Sequence, residues 1–171
     1  MKKITLIIAV VAFSAMAGYA QKFAYVDTEY ILSNIPSYKA AQTELEKQST
    51  EWQQEVEGLF QEIDKMYREY QAEKVLLTQE MRSKREEEII NKERAAKQLQ
   101  NDYFGQEGLL FKKREEKIKP IQDEIYNALK EISNESGYAI VFDTSGGPVI
   151  LFTNPRYDIS DEVLIRLGYK N

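Results

Sequence analysis

The chain has no histidine and no cysteine among its 171 residues. Those two absences exclude histidine-based triads, thiol nucleophiles and zinc sites of the usual kind. They also exclude disulfides and a lipid anchor built on an N-terminal cysteine. Glycine and proline are scarce, at eight and four residues, while charged residues make up 30%. That balance points to extended helix, not to a compact α/β enzyme. No phosphate-cradling loop is present: Gly105-Gln106-Glu107-Gly108 lacks a strand before it and a lysine after it. Aspartate and glutamate are plentiful, but at helical spacing they read as a solvated face. Asp143 and Asp158 read as strand-end or turn residues whose side chains satisfy nearby backbone N–H groups. The sequence offers no catalytic residue, no cofactor site and no metal ligand, and it is not that of an enzyme.

A long apolar run is missing everywhere except at the start. Lys2 and Lys3 precede an apolar stretch from Ile4 to Phe13, and small residues follow at Ala15, Ala17, Gly18 and Ala20. This reads as a secretory signal peptide over residues 1–20, too short for a membrane span. Cleavage after Ala17 or Ala20 fits the small-residue rule, and Ala20 leaves a short lead into the first strand. The expected location is therefore the periplasm, with no stable membrane insertion. Losing Lys2 and Lys3 leaves 21 basic against 28 acidic residues, a net charge of −7. Bulk charge of that sign argues against nucleic acid and anionic membrane as partners.

Two short β-type segments are present at opposite ends of the mature chain. One is Phe23 to Asp27; the other is Tyr138 to Asp143, followed by the apolar run Val149 to Phe152. Strands this short form a stable sheet only if they meet, so the sequence between them must leave and return. That sequence is a heptad. Tyr38, Ala41, Leu45, Gln48, Trp52, Val56, Leu59, Ile63, Met66 and Tyr70 follow one another at spacings of three and four. The spacing predicts an a/d seam packed against another helix. A return arm reads Ile89, Lys92, Ala96, Leu99, Tyr103, Gln106 and Leu110, with a thinner seam. The tip is expected between Val75 and Arg85, with Thr78 as a helix cap. The basic cluster Arg82, Lys84 and Arg85 stands out at this tip.

Gly105 and Gly108 interrupt the return arm, and Pro120 predicts a second bend, so all three are candidate hinges. By helix propensity alone, alanine at each glycine would stabilise the arm by about 1 kcal/mol. After Pro120 the apolar stretch continues to Ile132, and Gly137 ends it as a C′ glycine. Gly146-Gly147-Pro148 reads as a turn, and residues 161–167 as a last short helix capped by Ser160. The fold class is α+β: a small β-sheet base with a long helical-hairpin coiled-coil arm. The base comprises residues 21–36 and 134–171, and the arm residues 37–133. Phe23, Tyr25, Val26, Ile140, Val141, Phe142, Ile150 and Phe152 would build the base. So few short strands cannot close a core in one chain, which favours an oligomer joined at the base.

Both ends of the chain resemble the OmpH/Skp family of periplasmic chaperones. The opening runs from Phe23-Ala24-Tyr25-Val26-Asp27 to Ile35-Pro36-Ser37-Tyr38. The close combines Pro120-Ile121, Gly137-Tyr138, Val141-Phe142-Asp143 and Tyr157-Asp158-Ile159-Ser160. The resemblance implies a homotrimer: an intersubunit β-barrel from which three arms enclose a cavity. It further implies an ATP-independent holdase that keeps unfolded outer-membrane proteins in that cavity. Aromatics at a/d positions belong to the seam, whereas Phe60, Tyr67 and Phe104 are beside it and Met81 is near the tip. These four are the candidate client contacts, because aromatic and methionine side chains give adaptable area without sequence readout. A rival reading is a coiled-coil envelope spacer or adaptor without clients, which should keep an apolar seam along its full length. A prefoldin-like hairpin is a third, disfavoured because there the helices flank the strands.

Overall fold

The computed structural model describes residues 21–146 and 150–170. The expected signal peptide, Gly147 and Pro148 of the expected turn, and Val149 of the apolar run lie outside the described residues. In chain order the elements are β1 (Lys22–Val26), α1 (Thr28–Ser33), α2 (Pro36–Glu73) and α3 (Gln79–Phe104). They continue with α4 (Leu109–Ser136), β2 (Tyr138–Asp143), a 3-10 turn (Pro155–Tyr157) and α5 (Ser160–Arg166). They fall into two compact units: residues up to Asn34 together with Glu124 onward, and Ile35–Asp123.

The heptad from Tyr38 to Tyr70 becomes one uninterrupted helix of 38 residues, opened by Pro36 in its first turn. All ten seam positions are buried or half-buried, with Ala41, Leu45, Val56, Ile63 and Tyr70 the most enclosed. On the return side Ile89 and Ala96 are buried, while the polar seam residues Lys92 and Gln106 are exposed. Ile63, Tyr70, Ile89 and Ala96 form one cluster between α2 and α3. Ala41, Leu45 and Ile118 form another, between α2 and the first part of α4. Polar rungs follow the same antiparallel order. Lys92 pairs with Glu62, the Tyr70 hydroxyl donates to Glu86, and Lys117 pairs with Glu44 at 2.8 Å.

The hairpin turns over residues 74–78, a stretch that begins one residue before the expected window and overlaps its near edge. Thr78 Oγ1 accepts the Met81 amide at 3.3 Å and starts α3, as an N-cap should. The basic cluster therefore belongs to the first two turns of α3 instead of the turn itself. Residues 105–108 break the helix as expected. Pro120 does not: α4 continues through it. One ring costs one backbone hydrogen bond, and the buried Ile118 and Ile121 on either side hold the helix together.

In the other unit β1 and β2 pair in parallel, with Phe23 opposite Ile140 and Val26 opposite Asp143. Ala24 and Val26 point inward at 3% and 2% exposure, and Ile31, Ile132, Val163 and Leu164 are equally enclosed. Asp143 ties the end of β2 to the start of α1. Its carboxylate accepts the Thr28 amide and hydroxyl, and the Ser145 amide and hydroxyl, at 2.7 to 3.2 Å. Burial raises its pKa, but these hydrogen bonds outweigh burial and hold it below the usual carboxylate range. Asp158 likewise accepts the Ser160 amide and hydroxyl. Gly137 closes α4 at φ 74°, a left-handed conformation that other residues avoid.

One expected strand is missing. Ile150–Phe152 takes no strand conformation, and Leu151 and Phe152 stand 97% and 83% exposed. A β-type sequence becomes a strand only against a hydrogen-bonding edge. Among the described residues β1 is flanked by β2 and by an isolated bridge from Tyr25 to Asp158, and neither strand pairs with Ile150–Phe152.

Candidate functional site

Alternation along a strand puts Phe23 and Tyr25 on one face of β1, and Ile140 and Phe142 on the matching face of β2. Phe23, Ile140 and Phe142 are each close to half exposed. The Phe23 and Phe142 rings approach to 6.3 Å between centroids. Beside them is an open cleft of about 750 Å³ whose lining includes Tyr25, Tyr138, Ile150, Phe152 and Tyr157 together with Lys22 and Arg156. The expected base residues thus divide. Phe23, Ile140, Phe142 and Phe152 present apolar surface, Tyr25, Val141 and Ile150 are half-buried, and Val26 faces into the core.

The helical unit divides the four candidate client residues the same way. Tyr67 and Met81 are 51% and 53% exposed. Phe60 instead packs against the cluster of Ile63, Tyr70, Ile89 and Ala96. Phe104 sits edge-on to Trp52 and Tyr103, 6.4 and 6.2 Å away. Two residues that the seam argument passes over are more exposed than any of these. Val75 and Leu76 occupy the hairpin turn at 81% and 83%. The signal for them was available: apolar residues in a turn have no core to enter. Ile90, Leu109 and Phe111 add further exposed apolar area along the hairpin.

The basic cluster is partly committed. Arg85 pairs with Glu73 at 3.8 Å and Glu88 at 3.7 Å, and Arg82 Nε donates to the Leu77 carbonyl at 3.1 Å. Lys84 is exposed.

At the helix break the backbone is tight. The Gly105 amide donates to Asn101 O at 2.7 Å and the Gly108 amide to Gly105 O at 2.9 Å. A Cβ at Gly105 would come within 2.4 Å of the Asn101 carbonyl, and one at Gly108 within 2.8 Å of the Tyr103 carbonyl. The expectation that alanine stabilises these sites is therefore overturned, because helix propensity ignores the backbone folded against them. Gly105→Ala and Gly108→Ala should each destabilise the chain by about 1–3 kcal/mol. Chemical denaturation followed by circular dichroism reads this directly, and a midpoint that rises would contradict the packing argument.

Among the described residues, no group of three or more acidic side chains is arranged to hold a metal ion. No helix there is long and apolar enough to cross a membrane. Asp27, Asp158 and Asp161 line a polar recess, and each accepts a hydrogen bond within the chain. Asp27 accepts the Tyr30 amide, Asp158 accepts from Ser160, and Asp161 accepts the Tyr30 hydroxyl and pairs with Lys170.

The family model for Outer membrane protein (OmpH-like) matches residues 22–167. No curated protein matches the sequence. A similar solved structure is that of a proposed outer membrane chaperone (OmpH-like) from Caulobacter crescentus CB15. It shares 13% identity over 88% of this chain and 86% of that chain, with a TM-score of 0.65. At that identity the likeness concerns the fold.

Proposed function

The chain belongs to the OmpH-like outer membrane protein family, and we propose that it is a periplasmic holdase chaperone. It holds unfolded outer-membrane proteins between helical arms without ATP, as a homotrimer joined through β1 and β2. The carrying observation is the dispersal of apolar surface on the hairpin. Tyr67, Val75, Leu76, Met81, Ile90, Leu109 and Phe111 are exposed at successive points along it. A partner of defined shape is bound through a concentrated hot spot. An unfolded chain of variable sequence is better served by many weak apolar contacts. Binding the unfolded state lowers its free concentration and so slows aggregation by mass action. The half-exposed sheet face supports assembly, since copies can cover one another there. The likeness to the Caulobacter protein, itself a proposed outer membrane chaperone, supports the same reading.

The test is dilution of a denatured outer-membrane β-barrel protein into buffer with the mature chain present. Light scattering should be suppressed once three chains are supplied per client, with or without ATP. Scattering that develops at the unassisted rate would rule out the holdase and favour a structural spacer.

A further inference from the structure

The chain has a single tryptophan, and it faces the helix break. Trp52 on α2 stacks on Tyr103, with centroids 4.6 Å apart and planes 8° from parallel. Phe104, the last residue of α3, is edge-on to both rings. Such offset and edge-on arrangements are the favoured aromatic geometries, each worth a few-fold to about tenfold in an equilibrium. The Tyr103 hydroxyl donates to Glu55 at 2.9 Å. Glu55 is three residues from Trp52, on the same helix face, so α2 grips both the ring and its hydroxyl. Donation to that carboxylate, aided by burial, raises the Tyr103 phenol above its usual range and keeps it a donor.

A four-residue interruption rich in glycine would ordinarily be the loosest part of a long helix pair. Here the break is closed on itself by the Gly105 and Gly108 amides, and Gly108 is buried. Local stability of this kind needs side-chain support. Within α3 only Ile89 and Ala96 are fully buried, both well before its end. The support for its last turn is the aromatic trio.

We propose that Trp52, Tyr103 and Phe104 form a latch that holds the break at residues 105–108 in one closed conformation. Bending of the helical unit at this point proceeds only when the latch opens. The glycines are thus required by close backbone packing, and the joint's freedom is set by rings on either side of it. The latch is a property of the free chain, so its test involves no client and is independent of the chaperone reading.

Hydrogen exchange by mass spectrometry on the intact mature chain tests it, with Trp52 emission and acrylamide quenching as a second readout. In the unaltered protein the Gly105 and Gly108 amides should be protected. Tyr103→Leu should speed exchange across residues 104–112 by about ten- to a hundredfold. Exchange around Ile63 and Ile89 should not move, and Trp52 should become more quenchable. Tyr103→Phe, which keeps the ring and loses the hydroxyl, should restore most of the protection. Glu55→Gln, a surface change that preserves the fold, should cost only a few-fold. Free-peptide exchange at the break in the unaltered protein would overturn the latch. So would an unchanged rate in Tyr103→Leu, or deprotection that spreads equally through Ile63 and Ile89.

Discussion

The variant Ile140→Glu with Phe142→Glu is expected to run as a single chain, and the unaltered protein, on the proposed assembly, as three. Both side chains occupy the face of β2 that, with Phe23, is left close to half exposed. A two-stranded sheet is marginal in water on its own. Among the described residues β2 has only one neighbour, so its other edge is free to pair. Leu151 and Phe152 are more exposed still, in a run that pairs with no strand among the described residues. Covering that surface with other copies removes roughly 2 kcal/mol worth of apolar exposure per large side chain. Two carboxylates in its place would each have to be desolvated without a partner. Association should weaken by more than about a thousandfold, or roughly 4 kcal/mol. Sedimentation at about 10 μM reads the change in mass. Helix content should stay nearly constant, because the seam residues of Ile35–Asp123 form a separate compact unit. A variant that keeps the mass of the unaltered protein would remove the sheet face from any account of assembly.

The second large effect concerns client affinity. Changing Tyr67, Val75, Leu76 and Met81 together to serine should weaken binding of an unfolded β-barrel protein by about a hundredfold, since each contributes part of its apolar area. All four are more than half exposed, so the hairpin should keep its melting temperature. Phe60→Ser with Phe104→Ser should behave oppositely. Both side chains pack within the helical unit, so the melting temperature should fall and any loss of binding should follow unfolding. Affinity in the unaltered protein should change little between about 50 and 300 mM salt, because screening weakens charge contacts and not apolar burial. A steep loss with salt, together with intact binding by the four-serine variant, would transfer the contact to Arg82, Lys84 and Arg85.

Several local features were legible in the sequence because their cause was itself local. Heptad spacing depends only on helix geometry, and every one of the ten positions from Tyr38 to Tyr70 turned inward or half inward. Thr78 and Gly137 act through hydrogen bonds and dihedral angles within a few residues of themselves, and both do what their type predicts. Asp143 ends its strand by accepting from Ser145, two residues on. Its bonds to Thr28 come from the far end of the chain and could not be read from spacing.

What the sequence alone determined is therefore the alternation of strand, helical hairpin and strand, the seam that joins the helices, and the exclusion of histidine and cysteine chemistry. Tertiary structure decided which apolar residues are available. Phe60 and Phe104 look equivalent to Tyr67 and Met81 when counted along a heptad. They differ because a neighbouring helix presents Ile89 and Ala96 to one and Trp52 to the other. Gly105 and Gly108 look like helix breakers that alanine would mend, until the Asn101 and Tyr103 carbonyls are found where a Cβ would go. Ile150–Phe152 looks like a strand, but a strand is a relation between two backbones, and among the described residues no second one pairs with it. Periodicity records the direction a side chain leaves its own helix or strand; burial depends on what meets it there, and that partner lies elsewhere in the chain.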